Sequence, residues 1–178
     1  MAETVKAAEG GKYLTFKISQ EEYGLEILKV KEIIGIMPVT SVPRTPEFVR
    51  GVINLRGRVI PVVELRSKFS MQVIDDTGET CIIVVEIDKD GKPLQIGILV
   101  DSVSEVLDIT EKEIEATPSF GTEIDTQFIL GMAKTKDGVK ILLNIEKVLT
   151  EKELVEMAKT KCTFMEEDKK KDKEKTEE

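Results

Sequence analysis

The chain of 178 residues contains no histidine and no tryptophan, and only two cysteines. Without histidine it lacks the commonest general base, the usual activator of a serine or cysteine nucleophile and the commonest nitrogen ligand for a metal. Cys81 stands inside the apolar run CIIVVEI and Cys162 near a charged tail, with no CxxC spacing and no framework of pairs. Cys81 is expected to be a small buried hydrophobe. GxxxxGK[ST] phosphate loops and dinucleotide fingerprints are absent. No apolar run approaches the roughly 18 to 20 residues of a spanning helix, and the N-terminal MAETVKAAEGGK has no signal-peptide core. Positive charge is also short. The formal net charge is -8, and nucleic-acid or anionic-membrane affinity rests on Lys and Arg displacing counterions. The expectation is a cytoplasmic protein without catalytic activity, cofactor or metal, which neither inserts into a membrane nor takes nucleic acid as its main partner.

What remains is a pattern of short apolar runs. Residues 1–11 are small and polar and are expected to be disordered. In KYLTFKI, Leu14, Phe16 and Ile18 alternate with Tyr13, Thr15 and Lys17, the period of a half-buried strand. YGLEILKVKEIIGIMPV is rich in β-branched residues and reads as one strand. Pro38, Pro43 and Pro46 then stiffen a loop, and PEFVRG has the make-up of a short turn with Pro46 at its first position. VINLRGRVIPVVEL carries two apolar arms around Arg56-Gly57-Arg58, a tight hairpin in which Pro61 belongs near an edge or a bulge. TCIIVVEI, PLQIGILV, DSVSEVLDI, TQFILGMAK and VKILLNI follow, with DKDG and TKDG as hairpin cues. DKDG, extended back to Glu86, superficially resembles a calcium loop, but its closing position is Gly97 and β-like runs flank it.

Many short strands with turn signals between them predict a mainly all-β fold of small barrels or a sandwich. The segment from Leu65 to Thr80 is expected to carry the crossover between lobes. A C-terminal helix is expected over 150–165, where Thr150 and Glu153 have capping-box spacing. In 166–178 twelve of thirteen residues are charged, which predicts a disordered, solubilising tail.

Polar residues amid the apolar arms stand out. Arg50, Arg56, Arg58 and Asn54 share the run Val49 to Leu65 with Gly51 and Gly57, and Glu32 interrupts VKEIIGI. Arg56 is either a solvated turn arginine or is paired with a carboxylate such as Glu32, since charge in a strand-rich zone is costly unless paired.

The string VPRTPEFVRGVINLRGRVIPVVELR, residues 42–66, resembles the signature of the CheW chemotaxis coupling family and of the related regulatory domain of the kinase CheA. YGLEILKVKEI, IGILVDSVSEVL and FILGMAKTKDGVKILLNIEKVL resemble further blocks in the same order, so that the likeness spans 12–155. It implies two packed five-stranded SH3-like barrels with a hydrophobic seam, no catalysis, and an adaptor linking chemoreceptors to the histidine kinase CheA, recruited to membrane-associated receptor arrays. It also implies that Val30, Glu32, Gly51 and Arg56 face the receptor, that Glu32 pairs with Arg56, and that Phe120 of PSF contacts the kinase or a neighbour in the array. Glu64 stands where many members carry Asp.

A receptor hairpin tip with an apolar stripe would then lie between the lobes and read Val30, Ile33, Val52 and Val100, unless these aliphatics are ordinary core. Two other classes compete. A regulatory CheW-like fragment of a chemotaxis kinase would share the fold, although Met1 opens the sequence and no phosphorylatable His exists. A small barrel binding single-stranded nucleic acid would need stacking rings and positive charge, which six Phe, two Tyr and a negative net charge supply poorly.

Overall fold

The computed structural model describes residues 10–89, 91–116 and 128–149. The alternating runs form strands β1 (Gly11–Ile18), β2 (Glu21–Glu26), β3 (Val30–Gly35), β4 (Val49–Leu55), β5 (Arg58–Glu64), β6 (Cys81–Lys89), β7 (Lys92–Val100), β8 (Ser102–Ile109), β9 (Ile114–Glu115), β10 (Ile129–Thr135) and β11 (Gly138–Leu143). Two single-turn helices accompany them, α1 (Leu65–Lys68) and α2 (Ile145–Val148). One sheet has the order β8-β1-β2-β11-β10-β9 and the other β3-β6-β7-β5-β4. The fold is mainly β, as expected, with two five-stranded units once the two-residue β9 is set aside. Neither is a closed barrel. The ring of the second sheet is joined by an isolated backbone bridge between Thr40 and Val52 rather than by a ladder between β3 and β4. No helix among the described residues is long and apolar enough to cross a membrane.

Strand parity sorts the apolar side chains into three cores. Ile53, Ile60, Val62, Ile82, Val84 and Leu99 fill the inside of the second sheet, and Tyr13, Ile109, Ala133 and Leu142 fill the first. The largest cluster lies between the sheets, where Leu14, Phe16, Ile18 and Leu25 meet Val63, Ile83, Val85, Ile96 and Ile98. Phe16, Tyr23, Phe69 and Phe128 stack in series through this seam, with centroids 5.9, 5.8 and 5.3 Å apart. Burying a residue of this size contributes about 1.5–3 kcal/mol, so the seam makes the two lobes one body.

Several expectations are corrected. β1 is buried on both faces, Tyr13 and Thr15 included, because each sheet has a core on either side. In β11, where the sequence alternates Val139, Ile141 and Leu143 with Lys140 and Leu142, the latter two are buried for the same reason, while Val139 beside the turn is exposed. The run read as one strand from Tyr23 to Val39 breaks at a 3-10 turn, Ile27–Lys29. That turn and Asp101 carry the chain between sheets. Leu65 to Thr80 instead joins β5 to β6 within one sheet. β5 is interior rather than an edge, and Pro61 sits opposite Val52, beside a bulge in β4 and just before the ladder to β7 begins at Val62, where its missing N–H is not needed. Cys81 is half-buried, and its thiol donates to the Glu79 carbonyl. PEFVRG makes a single turn closed by Val49 N to Pro46 O at 3.0 Å. The helix expected over 150–165, the charged tail, residues 1–9 and Phe120 lie outside the described residues.

Candidate protein-interaction site

The second sheet is open at β3 and β4, and each of these edge strands carries a bulge. In β3 the register slips between Val30 and Glu32, and in β4 between Val49 and Gly51. A bulge adds a residue and re-aims its neighbours. Here it places Val30 and Ile33, three positions apart, on one face, opposite Val85 and Ile83. Both partners belong to the inter-sheet seam. The seam's apolar face therefore continues past the edge to Val30, half-buried against that core, and to Ile33, which is 44% exposed.

The two edges are brought together by curling. Cross-strand pairing runs in one row from Glu32 through Val84, Gly97 and Val62 to Gly51, and in the next from Val30 through Val85 and Ile96 toward Pro61 and Val52. Val30 and Glu32 thus stand at one end of these adjacent rows and Gly51 and Val52 at the other, and the curl of the sheet turns the two ends toward each other. Two contacts fasten it. Thr40 and Val52 exchange backbone hydrogen bonds of 2.8 and 2.9 Å, and Arg56 forms a bidentate pair with Glu32, Nη1 to Oε2 at 3.1 Å and Nη2 to Oε1. Arg56 and Gly57 both have positive φ, 52° and 84°, as a two-residue type I′ turn requires, and the Asn54 carboxamide accepts from Gly57 N at 2.8 Å. The turn aims the guanidinium across the gap.

Gly51 has φ 150° and no room for a side chain, since a Cβ would overlap the Thr40 carbonyl. Its place is structural: it lets the 40-loop bridge β4. Val52 and Val100 are 5% and 2% exposed, so their side chains serve as core, and the groove face expected at these two positions is closed. The exposed part is Ile33 with Arg56, flanked by Val30 and Glu32.

A second group of charges lies behind β4 and β5. Arg50 forms a bidentate pair with Asp76 at 2.9 and 2.6 Å and lies 3.8 Å from Glu64. Arg66 holds Asp101 with two donors, Nε to Oδ1 at 2.9 Å and Nη2 to Oδ2, and donates to the Gln72 carbonyl at 3.0 Å. Asp101 also accepts from Ser19 N at 2.7 Å, tying the inter-sheet crossover to the β1–β2 turn. Burial pushes the Glu64 carboxyl above the usual range, with Asp76 and Asp101 adding to it and Arg50 and Arg66 opposing. At Asp101 burial also pushes upward, but the Arg66 and Ser19 hydrogen bonds and the Arg66 charge together hold it below its usual value. Lys140, ion-paired with Glu22, is lowered by burial and by Lys17. These pairs join residues far apart in sequence. One signal does point to them: all five arginines fall between 44 and 66 while every other basic residue is lysine, and arginine suits planar, bidentate carboxylate pairing.

The CheW-like domain model matches residues 12–153. The chain is 39% identical over 145 residues to the chemotaxis protein CheW of Klebsiella aerogenes, covering 82% of this chain and 85% of that protein. It is 34% identical over 141 residues to CheW of Thermotoga maritima, covering 78% and 87%. The crystal structure of the scaffolding protein TtCheW from Thermoanaerobacter tengcongensis superposes with a TM-score of 0.71 at 38% identity, over 81% of this chain and 95% of that one.

Proposed function

The chain belongs to the CheW-like domain family, and on that premise we propose that it is a non-catalytic chemotaxis adaptor coupling the cytoplasmic tip of a chemoreceptor to the histidine kinase CheA. The observation that carries the proposal is the continuity of one apolar face from the buried seam to Val30 and exposed Ile33, beside the Glu32–Arg56 clasp. A helical hairpin offers an apolar stripe, and such a lip takes it in helix-in-groove fashion. The clasp adds a rim charge, which sets register and partner choice more than affinity. Gly51 and Val52 shape the joint from beneath. Phe120 enters as a kinase or array contact by resemblance alone. Binding to receptors would place the protein at membrane-associated arrays without insertion of its own.

Pull-down with a receptor signalling fragment tests the lip. Ile33→Asp and Val30→Asp should each abolish capture; Ile33 is exposed enough for its variant to keep the wild-type circular dichroism and melting transition. Unchanged capture by folded Ile33→Asp would sink the proposal.

A further inference from the structure

Residues 69–80 connect α1 to β6 without pairing to any strand among the described residues. The start of this strap is fixed. The Phe69 ring is stacked between Tyr23 and Phe128, Met71 N donates to Arg66 O at 2.7 Å, and Arg66 holds the Gln72 carbonyl. Its end is fixed by a turn in which Thr77 N donates to Thr80 Oγ1 at 2.8 Å. Between these anchors residues 72–79 are exposed, Val73 and Ile74 among them. Apart from local turn bonds, the Arg50–Asp76 pair is the one hydrogen-bonded link from residues 73–79 to the rest of the described chain. Beneath lies a small void lined by Glu64, Ile74, Asp76, Leu99 and Val100.

Arg50 has a second carboxylate within reach. It is the extra residue of the β4 bulge, and Glu64 stands 3.8 Å away, beyond hydrogen-bond distance and 8% exposed. Among the described residues the Glu64 carboxylate accepts no hydrogen bond, and Arg50 at that distance is its ion-pair partner. We propose that residues 72–79 are a latch and that Arg50 is its two-position bolt, closed on Asp76 and open on Glu64. Each position gives Arg50 one hydrogen-bonded carboxylate partner. On opening, Asp76 goes to water and the Arg50–Glu64 ion pair, now 3.8 Å, tightens to hydrogen-bond distance. A segment with few buried contacts and one anchor is where local opening concentrates. Opening uncovers Leu99 of the second sheet's inner core and Val100 at the end of the inter-lobe seam.

Amide hydrogen exchange on the full chain tests it, with the rate in 72–79 read relative to the rate in β6 of the same protein. Asp76→Asn removes the closed partner and should raise that ratio about tenfold, the scale of one charge-assisted bond. Glu64→Gln removes the open partner and should lower it several-fold, whereas a Glu64 that merely supports Arg50 in place would raise it when removed. An unchanged ratio in Asp76→Asn, or an unchanged or raised ratio in Glu64→Gln, overturns the latch.

Discussion

At Arg56 one side chain does two jobs. Its backbone supplies the positive φ of a type I′ turn, and its guanidinium closes the ring onto Glu32. Arg56→Asn keeps the turn, because Asn tolerates that conformation, and loses only the pair. A double-mutant cycle with Glu32→Gln should give a coupling of about 0.5–1 kcal/mol, the value for a largely exposed but bidentate pair; urea unfolding of the four proteins measures it. Glu64 behaves oppositely. Its folded-state pKa is raised, so the folded protein holds that proton more tightly than the unfolded chain. The linked stability is present below the ordinary glutamate pKa and is lost as pH rises through the raised one. Asp101 runs the other way, its lowered pKa favouring the fold until acid protonates it. Glu64→Gln removes only the first effect. The melting temperature of the variant relative to wild type should therefore rise as pH climbs past the ordinary glutamate pKa of about 4.3, and a constant difference would show that Glu64 keeps its ordinary pKa in the fold.

Among the elements, β3 and β4 show what periodicity reveals and what it hides. The hairpin at Arg56-Gly57, the continuous apolar runs of β6 and β7 and the hairpin that joins β10 to β11 were legible, because each is a local signal read over a few residues. The bulges at Lys31 and Arg50 were not: an inserted residue reverses parity without leaving a mark in composition. That is why the positions on the lip came from family likeness, while their common face came from the register. The 3-10 turn at Ile27–Lys29 was hidden for a related reason, since its apolar residues continue the strand pattern on either side. Gly51 belongs to this scale, since its need is set by the close approach of the 40-loop. Gly51→Ala should cost about 2–4 kcal/mol through strain and loss of the Thr40–Val52 bridge. Equilibrium unfolding checks this, and a loss below about 1 kcal/mol would mean that the loop moves aside freely.

For the whole molecule, the all-β class follows from the number and spacing of the runs and the paired lobes from the family likeness, whereas the assignment of strands to lobes follows from neither. Which sheet a strand joins depends on pairing over long sequence separations, and β5 with β7 or β11 with β2 are parallel neighbours that no hairpin cue announces. Hence the crossover expected at Leu65 to Thr80 falls instead at Ile27–Lys29 and Asp101. The result is a body of two lobes locked by one seam, with the proposed lip at an edge rather than in a cleft. A rigid two-lobed body of this kind suits a coupler that must engage two partners at once, and the sharpest test asks for both together. The measurement is co-sedimentation of the protein with receptor signalling fragments and CheA. Wild type should bring the kinase down with the receptor in a ternary complex, and Ile33→Asp should leave the kinase in the supernatant. Equal recovery of CheA with and without the protein would contradict the account.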